Sequence, residues 1–259
     1  MSHELILKLS CPDRPGIVSA VSTAIMELGG NISESQQFSD VSSNNFHMRV
    51  EMEGIASANA LRERMGVLGA ELDMAWEINS AERKLRTIIM ASKEGHCLSD
   101  LLYHTVEGQI PIDVVAVVAN HEDLRPLADF YGVPFVYLPV TKETKAEAEN
   151  ALLELIERDN VELVVLARYM QILSDRVCAA MAGRIINIHH SFLPSFKGAR
   201  PYAQAHARGV KIIGATAHYV TPDLDEGPII EQDVVRVKHS DSVAEMVAQG
   251  QDVERRVLT

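Results

Sequence analysis

The sequence has 259 residues, of which 47% are hydrophobic and 23% are charged, a composition that allows a sizeable core and argues against intrinsic disorder. Its net charge of −12 repels phosphate backbones and anionic lipid, which argues against nucleic-acid or membrane-surface binding. The 3 cysteines are far apart and include no CxxC pair, so a disulfide scaffold or a structural zinc site is not expected.

The N-terminal part of the sequence predicts six elements in the order β-α-β-β-α-β, which is that of a ferredoxin-like domain. Helical spacing begins at Ile17, and Ser57 is the predicted N-cap of the second helix. The closing strand is predicted from the alternation of Leu72, Met74, Trp76 and Ile78. The predicted strands are 4–10, 31–38, 46–52 and 71–78, and the predicted helices are 17–28 and 57–68.

A charged stretch without hydrophobic periodicity, residues 79–86, is the predicted linker. We therefore predict an N-terminal domain over residues 1–82 and a second domain over residues 83–259.

Short apolar runs alternating with helical stretches fill the second part, a pattern typical of a mostly parallel, Rossmann-like α/β sheet covered on both faces. In such a sheet, ligands bind at the carboxyl ends of the strands. The predicted strands are 87–91, 113–118, 135–138, 163–166, 185–188, 212–220 and 229–237, and the clearest helices are 145–158, 202–208 and 242–258.

The longest apolar stretches, such as 114–119, are far shorter than the about 20 residues that a helix needs to span a bilayer. The N-terminal residues carry an early charge and do not resemble a signal peptide. We therefore expect a cytoplasmic protein with no membrane partner.

Polar residues cluster at the end of the predicted strand 185–188. Asn187 and His189 are two residues apart there, so their side chains point to one face. An amide beside an imidazole suits carbonyl chemistry, because the amide stabilises an oxyanion while the imidazole transfers a proton. A carboxylate such as Asp225, in a second polar cluster at 216–228, would orient the imidazole.

The same residue types leave other interpretations open. His189 and His190 are equally consistent with hydrogen-bonded residues of a buried turn. A metal site is less favoured, because adjacent histidines do not form the i, i+4 pair of a helical zinc site. Ser191 lacks the G-x-S-x-G context of a nucleophile, and Cys97 and Cys178 have no context for a reactive thiol.

Several longer motifs resemble known families. The stretch 185–201, IINIHHSFLPSFKGARP, resembles the active-site signature of folate-dependent formyltransferases, and ARYMQILS, GATAHYV and DLDEGPII match that family in the same order. DRPGIV at 13–18 and GGNI at 29–32 resemble an ACT domain, an amino-acid-sensing βαββαβ module. The fusion of the two, together with SKEGHCLSDLL at 92–102, resembles the formyltetrahydrofolate deformylase family.

This resemblance implies hydrolysis of 10-formyltetrahydrofolate to formate and tetrahydrofolate, with no metal and no separate cofactor. It implies that Asn187 donates to the oxyanion, that His189 transfers protons with the N10 leaving group, and that Asp225 orients His189 and the attacking water. His218 is implied as either a supporting or a purely structural residue. The implied folate pocket is lined by Met170, Gln171, Ile172, Leu173, Val220, Pro222 and Leu224, although ordinary core packing is an equal alternative for Ile172 and Leu173.

The loop after the first strand of the second domain separates hydrolysis from transfer. In the formyltransferases that this domain resembles, those acting on a ribonucleotide carry a glycine-rich loop here, and its backbone N–H groups bind phosphate. Residues 91–99 contain one glycine and the acidic Glu94, which favours water as the acceptor. Lys93 and His96 leave anion binding open, and a formyltransferase with a small amine acceptor is the alternative.

The ACT resemblance implies an amino-acid effector, such as glycine or methionine, held by Asp13, Gly16 and Asn31 at a subunit interface of a homo-oligomer. The other interpretation is structural, with Gly16 permitting a turn and Asp13 capping a helix. We expect the hydrolase to supply formate for purine biosynthesis and to balance one-carbon pools. A non-catalytic amino-acid-binding regulator is the third hypothesis, and the intact residues Asn187, His189 and Asp225 argue against it.

Overall fold

The computed structural model describes residues 4–195 and 200–259. Residues 196–199, which belong to the 185–201 motif, lie outside the described residues. The chain divides into two compact units, the first ending at Arg83 and the second beginning at Lys84. Every helix in the described part of the chain is too short or too polar to span a bilayer.

The elements of the first unit are β1 (Leu5–Pro12), α1 (Ile17–Glu27), β2 (Asn31–Asp40), β3 (Asn45–Glu53), α2 (Ala58–Leu72) and β4 (Ala75–Ser80). They have the predicted ferredoxin-like order, and the strands form an antiparallel sheet of four strands in the order β2-β3-β1-β4. Alternate residues of β1 (Leu5, Leu7 and Leu9) are buried, because a strand with one covered face buries every second side chain.

The boundary between α2 and β4 differs from the prediction. Residues 71–78 were expected to be a strand, but α2 continues through Leu72 and ends at Asp73, whose φ is 52°. The Met74 N–H donates to the Gly69 carbonyl at 2.9 Å, which closes the helix end. Leu68 and Leu72 are four residues apart, which is helical spacing. The helical pattern therefore overlaps the start of the alternating pattern that predicts the strand. The predicted cap is confirmed, because Ser57 accepts from the Ala60 N–H.

The second unit is the predicted Rossmann-like α/β domain. Its elements are β5 (Leu85–Ala91), α3 (His96–Val106), β6 (Ile112–Ala119), α4 (Arg125–Phe130), β7 (Phe135–Tyr137), α5 (Lys145–Arg158), β8 (Leu163–Leu166), α6 (Asp175–Ala180), β9 (Ile185–His189), α7 (Pro201–Ala207), β10 (Ile212–Tyr219), β11 (Ile229–Arg236) and α8 (Val243–Leu258). The strands form a seven-stranded sheet in the order β11-β10-β9-β8-β5-β6-β7. Strands β9, β8, β5, β6 and β7 are parallel to one another, and β10 and β11 extend the sheet with antiparallel pairing.

Helices cover both faces of this sheet, which explains why its central strands are apolar on both sides. One core contains Ile89 of β5 with residues of α3, α4 and α8, and the other contains Ile88 with residues of α5 and α6.

The strand order reverses beside β5. The chain passes from β5 through β6 to β7 at one edge and then returns to β8 and β9 on the other side of β5. A crevice forms at such a reversal, outside the carboxyl ends of the strands, and it is the usual ligand site of this architecture. The segments that follow β5, β8 and β9 are therefore the ones that position a site.

Candidate active site

Strand β9 places Asn187 and His189 on the same face of the sheet, at the carboxyl end of the strand. Ile188 between them points the other way into the core on the α3, α4 and α8 side. The neighbouring strand β10 pairs antiparallel with β9 and sets His218 directly opposite Asn187. The register of β10 against β11 shifts between Ala217 and His218, an irregularity of the kind that redirects side chains next to functional sites.

His189 is held by a carboxylate through one ring nitrogen and is free at the other. Its Nδ1 lies 3.3 Å from Oδ1 of Asp225. Its Nε2 is buried and has no hydrogen-bond partner among the described residues. Because an ionised carboxylate only accepts, Nδ1 carries the proton in the neutral ring and Nε2 presents a lone pair.

Asp225 reaches this position through a tight loop between β10 and β11. Its own φ is 58°, a left-handed conformation that costs energy in a residue with a side chain. The loop passes close to β10 at Gly227, where a Cβ atom would lie only 1.7 Å from the Tyr219 carbonyl oxygen. The Tyr219 N–H donates to the Pro228 carbonyl at 2.9 Å and fixes the same approach.

The electrostatic surroundings keep Asp225 ionised. Burial by itself raises the pKa of the Asp225 carboxyl, but the hydrogen bond and the charge of His189, together with His218, outweigh it, so the pKa lies below its usual value. Asp225 is therefore suited to orienting an imidazole and to stabilising its charged form.

His218 is a neutral acceptor for Asn187. Burial lowers the pKa of His218. Its Nδ1 lies 3.0 Å from the Tyr219 carbonyl oxygen, to which only an N–H can donate, so Nε2 is unprotonated. The Asn187 amide nitrogen lies 3.1 Å from that Nε2 and donates to it. The amide thus has a fixed orientation and one further N–H for a ligand oxygen.

His190 differs from its neighbour in charge. Burial, assisted by the positive charge of Arg168, lowers the pKa of His190 to about 3, so this ring is neutral at physiological pH. The ring centroids of His189 and His190 are 5.3 Å apart. A neutral His190 avoids a second positive charge beside His189 when that ring takes up a proton.

One cavity of about 330 Å³ brings these residues together. Asn187, His189 and Asp225 all line it. So do all seven residues that the resemblance implied for the folate pocket, namely Met170, Gln171, Ile172, Leu173, Val220, Pro222 and Leu224. Met170, Ile172 and Leu224 are more than half exposed, whereas Leu173 is buried, so core packing describes Leu173 but not Ile172.

Sequence reasoning missed three polar or aromatic residues of the cavity wall. These are Arg168, Tyr169 and His190. Of these residues, Arg168 could have been predicted from the sequence. It lies just after the carboxyl end of the parallel strand β8, where polar residues face the ligand crevice.

Two carboxylates, Glu94 of the loop after β5 and Glu254 of α8, lie close to the segment where a phosphate cradle would stand. Arg168 donates to Oε2 of Glu94 through Nε at 3.0 Å and through Nη2 at 2.8 Å. The alternative of an anion at His96 is not supported, because His96 Nε2 lies 2.8 Å from Oε2 of Glu254. An anionic ligand beside these two carboxylates would be repelled, which agrees with the expected loss of the phosphate cradle.

One group of side chains, His96, Cys97 and Glu254, has the donor types and spacing of a metal site. Its chemistry fits a metal poorly. Arg168 Nε lies 3.4 Å from Glu254 and would repel a cation. Burial raises the pKa of the Cys97 thiol, which keeps it protonated and a poor ligand. All 3 cysteines are free and buried, as expected for unreactive thiols.

The implied effector residues lie in the first unit, where Asp13 and Asn31 are exposed. Gly16 has a φ of 96° and is itself the N-cap of α1, so the interpretation of Asp13 as the helix cap is wrong. Asn31 donates to Oε1 of Glu53 at 3.2 Å. Their role in effector binding stays a prediction.

Comparison with known proteins gives two family matches along the chain. Residues 85–259 match the Formyl transferase family, and residues 5–70 match the ACT domain family. A formyltetrahydrofolate deformylase of Corynebacterium sp. (strain P-1) is 48% identical over 98% of this chain and 90% of that protein. The protein of the same name from Bacillus subtilis (strain 168) is 46% identical over 97% of this chain and 85% of its own length.

A solved structure has the same architecture. The crystal structure of a formyltetrahydrofolate deformylase from Pseudomonas syringae pv. tomato superposes with a TM-score of 0.95 at 44% identity and covers 100% of this chain and 88% of the other. The likeness therefore extends over both units.

Proposed function

The chain belongs to the formyltetrahydrofolate deformylase family, and from this premise we propose that Asn187, His189 and Asp225 carry out its reaction. As a member of that family, the protein is a hydrolase that converts 10-formyltetrahydrofolate and water to tetrahydrofolate and formate. The observation that carries the proposal is the His189 ring, with one nitrogen 3.3 Å from the Asp225 carboxylate and the other buried without a partner among the described residues.

The first step is attack of water on the formyl carbon. The unprotonated Nε2 of His189 takes a proton from the water as its oxygen bonds to carbon. The ionised Asp225 stabilises the resulting imidazolium through Nδ1 and orients the water. The C=O electrons move onto oxygen, where the second N–H of the Asn187 amide stabilises the oxyanion.

The second step is departure of tetrahydrofolate. The oxyanion reforms the C=O bond as the bond between carbon and N10 breaks. N10 takes the proton that His189 received from water, so His189 returns to its neutral form. Formic acid then releases its own proton to solvent, and the products are tetrahydrofolate, formate and one proton.

The folate ring system is proposed to lie against the segments 170–173 and 220–224, which line one cavity with the catalytic groups. Met170, Ile172 and Leu224 expose apolar surface there, and a flat heterocycle covers such surface while reaching backbone polar groups.

The reaction is tested with 10-formyltetrahydrofolate and no acceptor other than water. We expect formate and tetrahydrofolate in equal amounts. Turnover that appears only after a small amine is added would instead support the formyltransferase alternative.

We further infer that the reaction supplies formate for purine biosynthesis and balances one-carbon pools, and that an amino acid controls it through the ACT domain. Glycine and methionine are the proposed effectors, with Asp13, Gly16 and Asn31 as their site in a homo-oligomer. Repeating the acceptor-free assay with each amino acid tests the control, and an unchanged rate with both would contradict it. The unpaired cysteines support a reducing, cytoplasmic location.

A further inference from the structure

One side of the proposed folate site is a segment without regular secondary structure. Strand β8 ends at Leu166 and helix α6 begins at Asp175, so residues 167–174 connect them as an irregular segment. Consecutive residues of this segment, 168–173, line the catalytic cavity. An irregular segment has neither a helix nor a ladder to satisfy its backbone N–H groups, so other groups must bind them and fix its shape.

The side chain of Ser92 binds the middle of the segment. The Met170 N–H donates to Ser92 Oγ at 2.9 Å, and the Ser92 hydroxyl donates to Oδ1 of Asn120 at 2.7 Å. Ser92 and Asn120 are both buried. Because a hydroxyl has a single proton, the bond to Asn120 leaves the lone pairs of Ser92 to accept from Met170. These bonds join the loops that follow three parallel strands, β5, β6 and β8.

The side chain of Glu149 binds the end of the segment. Glu149 lies on α5 and is buried, and its Oε1 accepts from the Ser174 N–H at 2.9 Å. It lines a small pocket together with Tyr169 and residues 171–173, which also line the catalytic cavity. A buried carboxylate costs stability unless it is hydrogen-bonded. Here the hydrogen bond comes from the backbone of the irregular segment, so Glu149 and the segment fix each other.

The beginning of the segment is held through Arg168. Its φ of 64° is left-handed, a conformation that persists in a residue with a side chain only where the surrounding structure fixes it. Its guanidinium donates to Oε2 of Glu94 at 3.0 Å and 2.8 Å. Glu94 and Ser92 belong to the same loop after β5, so this loop binds the segment at two positions, Arg168 and Met170.

We propose that Ser92 and Glu149 are positioning residues for the folate, because they accept the N–H groups of Met170 and Ser174 and so hold residues 168–173 in the shape that receives the substrate. This inference rests on the proposed folate site. Among the residues that the structure describes, the lining of the catalytic cavity includes neither side chain, so each acts through the segment. Without these bonds only a fraction of the molecules has the competent shape, and the apparent affinity falls by that fraction.

The test measures the Kd of tetrahydrofolate by titration calorimetry, together with KM and kcat for 10-formyltetrahydrofolate. Ser92→Ala removes the acceptor of the Met170 N–H, so we expect Kd and KM each to rise by about three- to tenfold, the equivalent of one hydrogen bond. The reacting groups are untouched, so kcat should change by less than about twofold. Ser99→Ala on the following helix α3 is the matched control. A residue that only supports the fold would lower the midpoint of thermal unfolding without changing Kd or KM.

Glu149 provides a matched pair of variants. Glu149→Gln keeps an oxygen that accepts from the Ser174 N–H, so its Kd and KM should remain close to those of the wild type. Glu149→Leu is of similar size but has no acceptor, and it should weaken binding by about three- to tenfold, as Ser92→Ala does. Either of Ser92→Ala and Glu149→Leu replaces the other if one of them does not fold.

Unchanged Kd and KM in a folded Ser92→Ala or Glu149→Leu variant would overturn the inference, as would equal losses of affinity in Glu149→Gln and Glu149→Leu. Binding of tetrahydrofolate does not require the proposed roles of Asn187, His189 and Asp225, so an error in those roles would leave the Kd results as expected. A wild type that binds no tetrahydrofolate would instead show that the proposed folate site is wrong, and this inference with it.

Discussion

Two non-glycine residues of the cavity, Arg168 and Asp225, have left-handed backbone conformations, with φ of 64° and 58°. Arg168 lies just after β8, and Asp225 lies in the loop between β10 and β11. Each places a charged side chain that ion pairs hold in position. Strain of this kind persists only where packing and hydrogen bonds determine the conformation, and it concentrates at sites that bind or react.

Asn187→Ala tests the oxyanion role. We expect kcat to fall by on the order of 10²–10³, as for removal of one oxyanion donor in a buried site. Initial rates of formate release measure the effect, and Asn59→Ala on the exposed surface of α2 is the control. Near-normal turnover of the variant would show that Asn187 is not the oxyanion donor.

His218→Phe tests the orientation of the Asn187 amide. The variant keeps an aromatic ring but loses the acceptor for the amide, so we expect kcat to fall by up to about tenfold, the equivalent of one ordinary hydrogen bond. KM should change little, because the walls at 170–173 and 220–224 are untouched. An increase in KM with an unchanged kcat would instead identify His218 as a residue that shapes the folate pocket.

Among the helices, α8 connects the core of the second unit to a residue of the cavity. Its Ser242 forms a capping box with Glu245, and about three turns later the buried Glu254 contacts Tyr202 and Arg168. The helix therefore packs on the sheet through Val253 and Val257 and also holds Arg168, which lines the cavity.

Glu254→Gln tests what the buried ion pair contributes to stability. Arg168 keeps its ion pair with Glu94, but the buried side chain at position 254 loses its charge-assisted interactions with Arg168, His96 and Tyr202. We therefore expect the free energy of unfolding to decrease by about 1–3 kcal/mol. Chemical denaturation followed by circular dichroism measures it. Asp252→Asn breaks an exposed ion pair on the same helix and should change stability by less than about 1 kcal/mol. Equal effects of the two substitutions would contradict this account.

Ser242→Ala tests the capping box of α8. The side chain of Ser242 accepts from the Glu245 N–H, and its loss should destabilise the second unit by about 1 kcal/mol. Activity at moderate temperature should remain unchanged, since the cavity is not altered. The midpoint of thermal unfolding provides the measurement, and an unaltered midpoint would mean that the cap contributes nothing.

For the molecule as a whole, buried titratable groups make the folded state less stable as the pH falls. The pKa of His190 is lowered to about 3 and that of His218 is also lowered, so the unfolded chain binds protons more readily than the folded one below about pH 6.5. The pKa values of Asp225 and Glu254 lie below those of ordinary carboxyls, and their contribution is lost as pH falls through the lowered folded values.

We therefore expect the midpoint of thermal unfolding to decrease continuously as pH is lowered from about 6.5 to about 4. His190→Gln removes one of the titrating groups, and its midpoint should decrease less steeply over the same range. Scanning calorimetry of both proteins at a series of pH values gives the comparison. Identical slopes would show that His190 does not titrate as described.

Residue patterns alone predicted both domain folds and the shared face of Asn187 and His189. Residue periodicity is a local property, and residues two apart at a strand end share a face wherever the strand lies. The polar cluster at 216–228 already suggested Asp225 as the partner of His189, and the resemblance assigned its role and added the segments 170–173 and 220–224. The tertiary structure then showed that Asp225 and residues of both segments line one cavity. Local signals failed at Glu71–Met74, where two periods overlapped and the helix continued.

Contacts between residues far apart in the chain could not be predicted in this way. Asn187 and His218 are neighbours because β9 and β10 pair in one particular register, and Arg168 and Glu254 meet because α8 packs back over the sheet. The charges of His190 and Asp225 likewise depend on burial and on partners far away in the chain. No local pattern encodes these contacts, because each forms only when packing of the whole domain brings separate segments together.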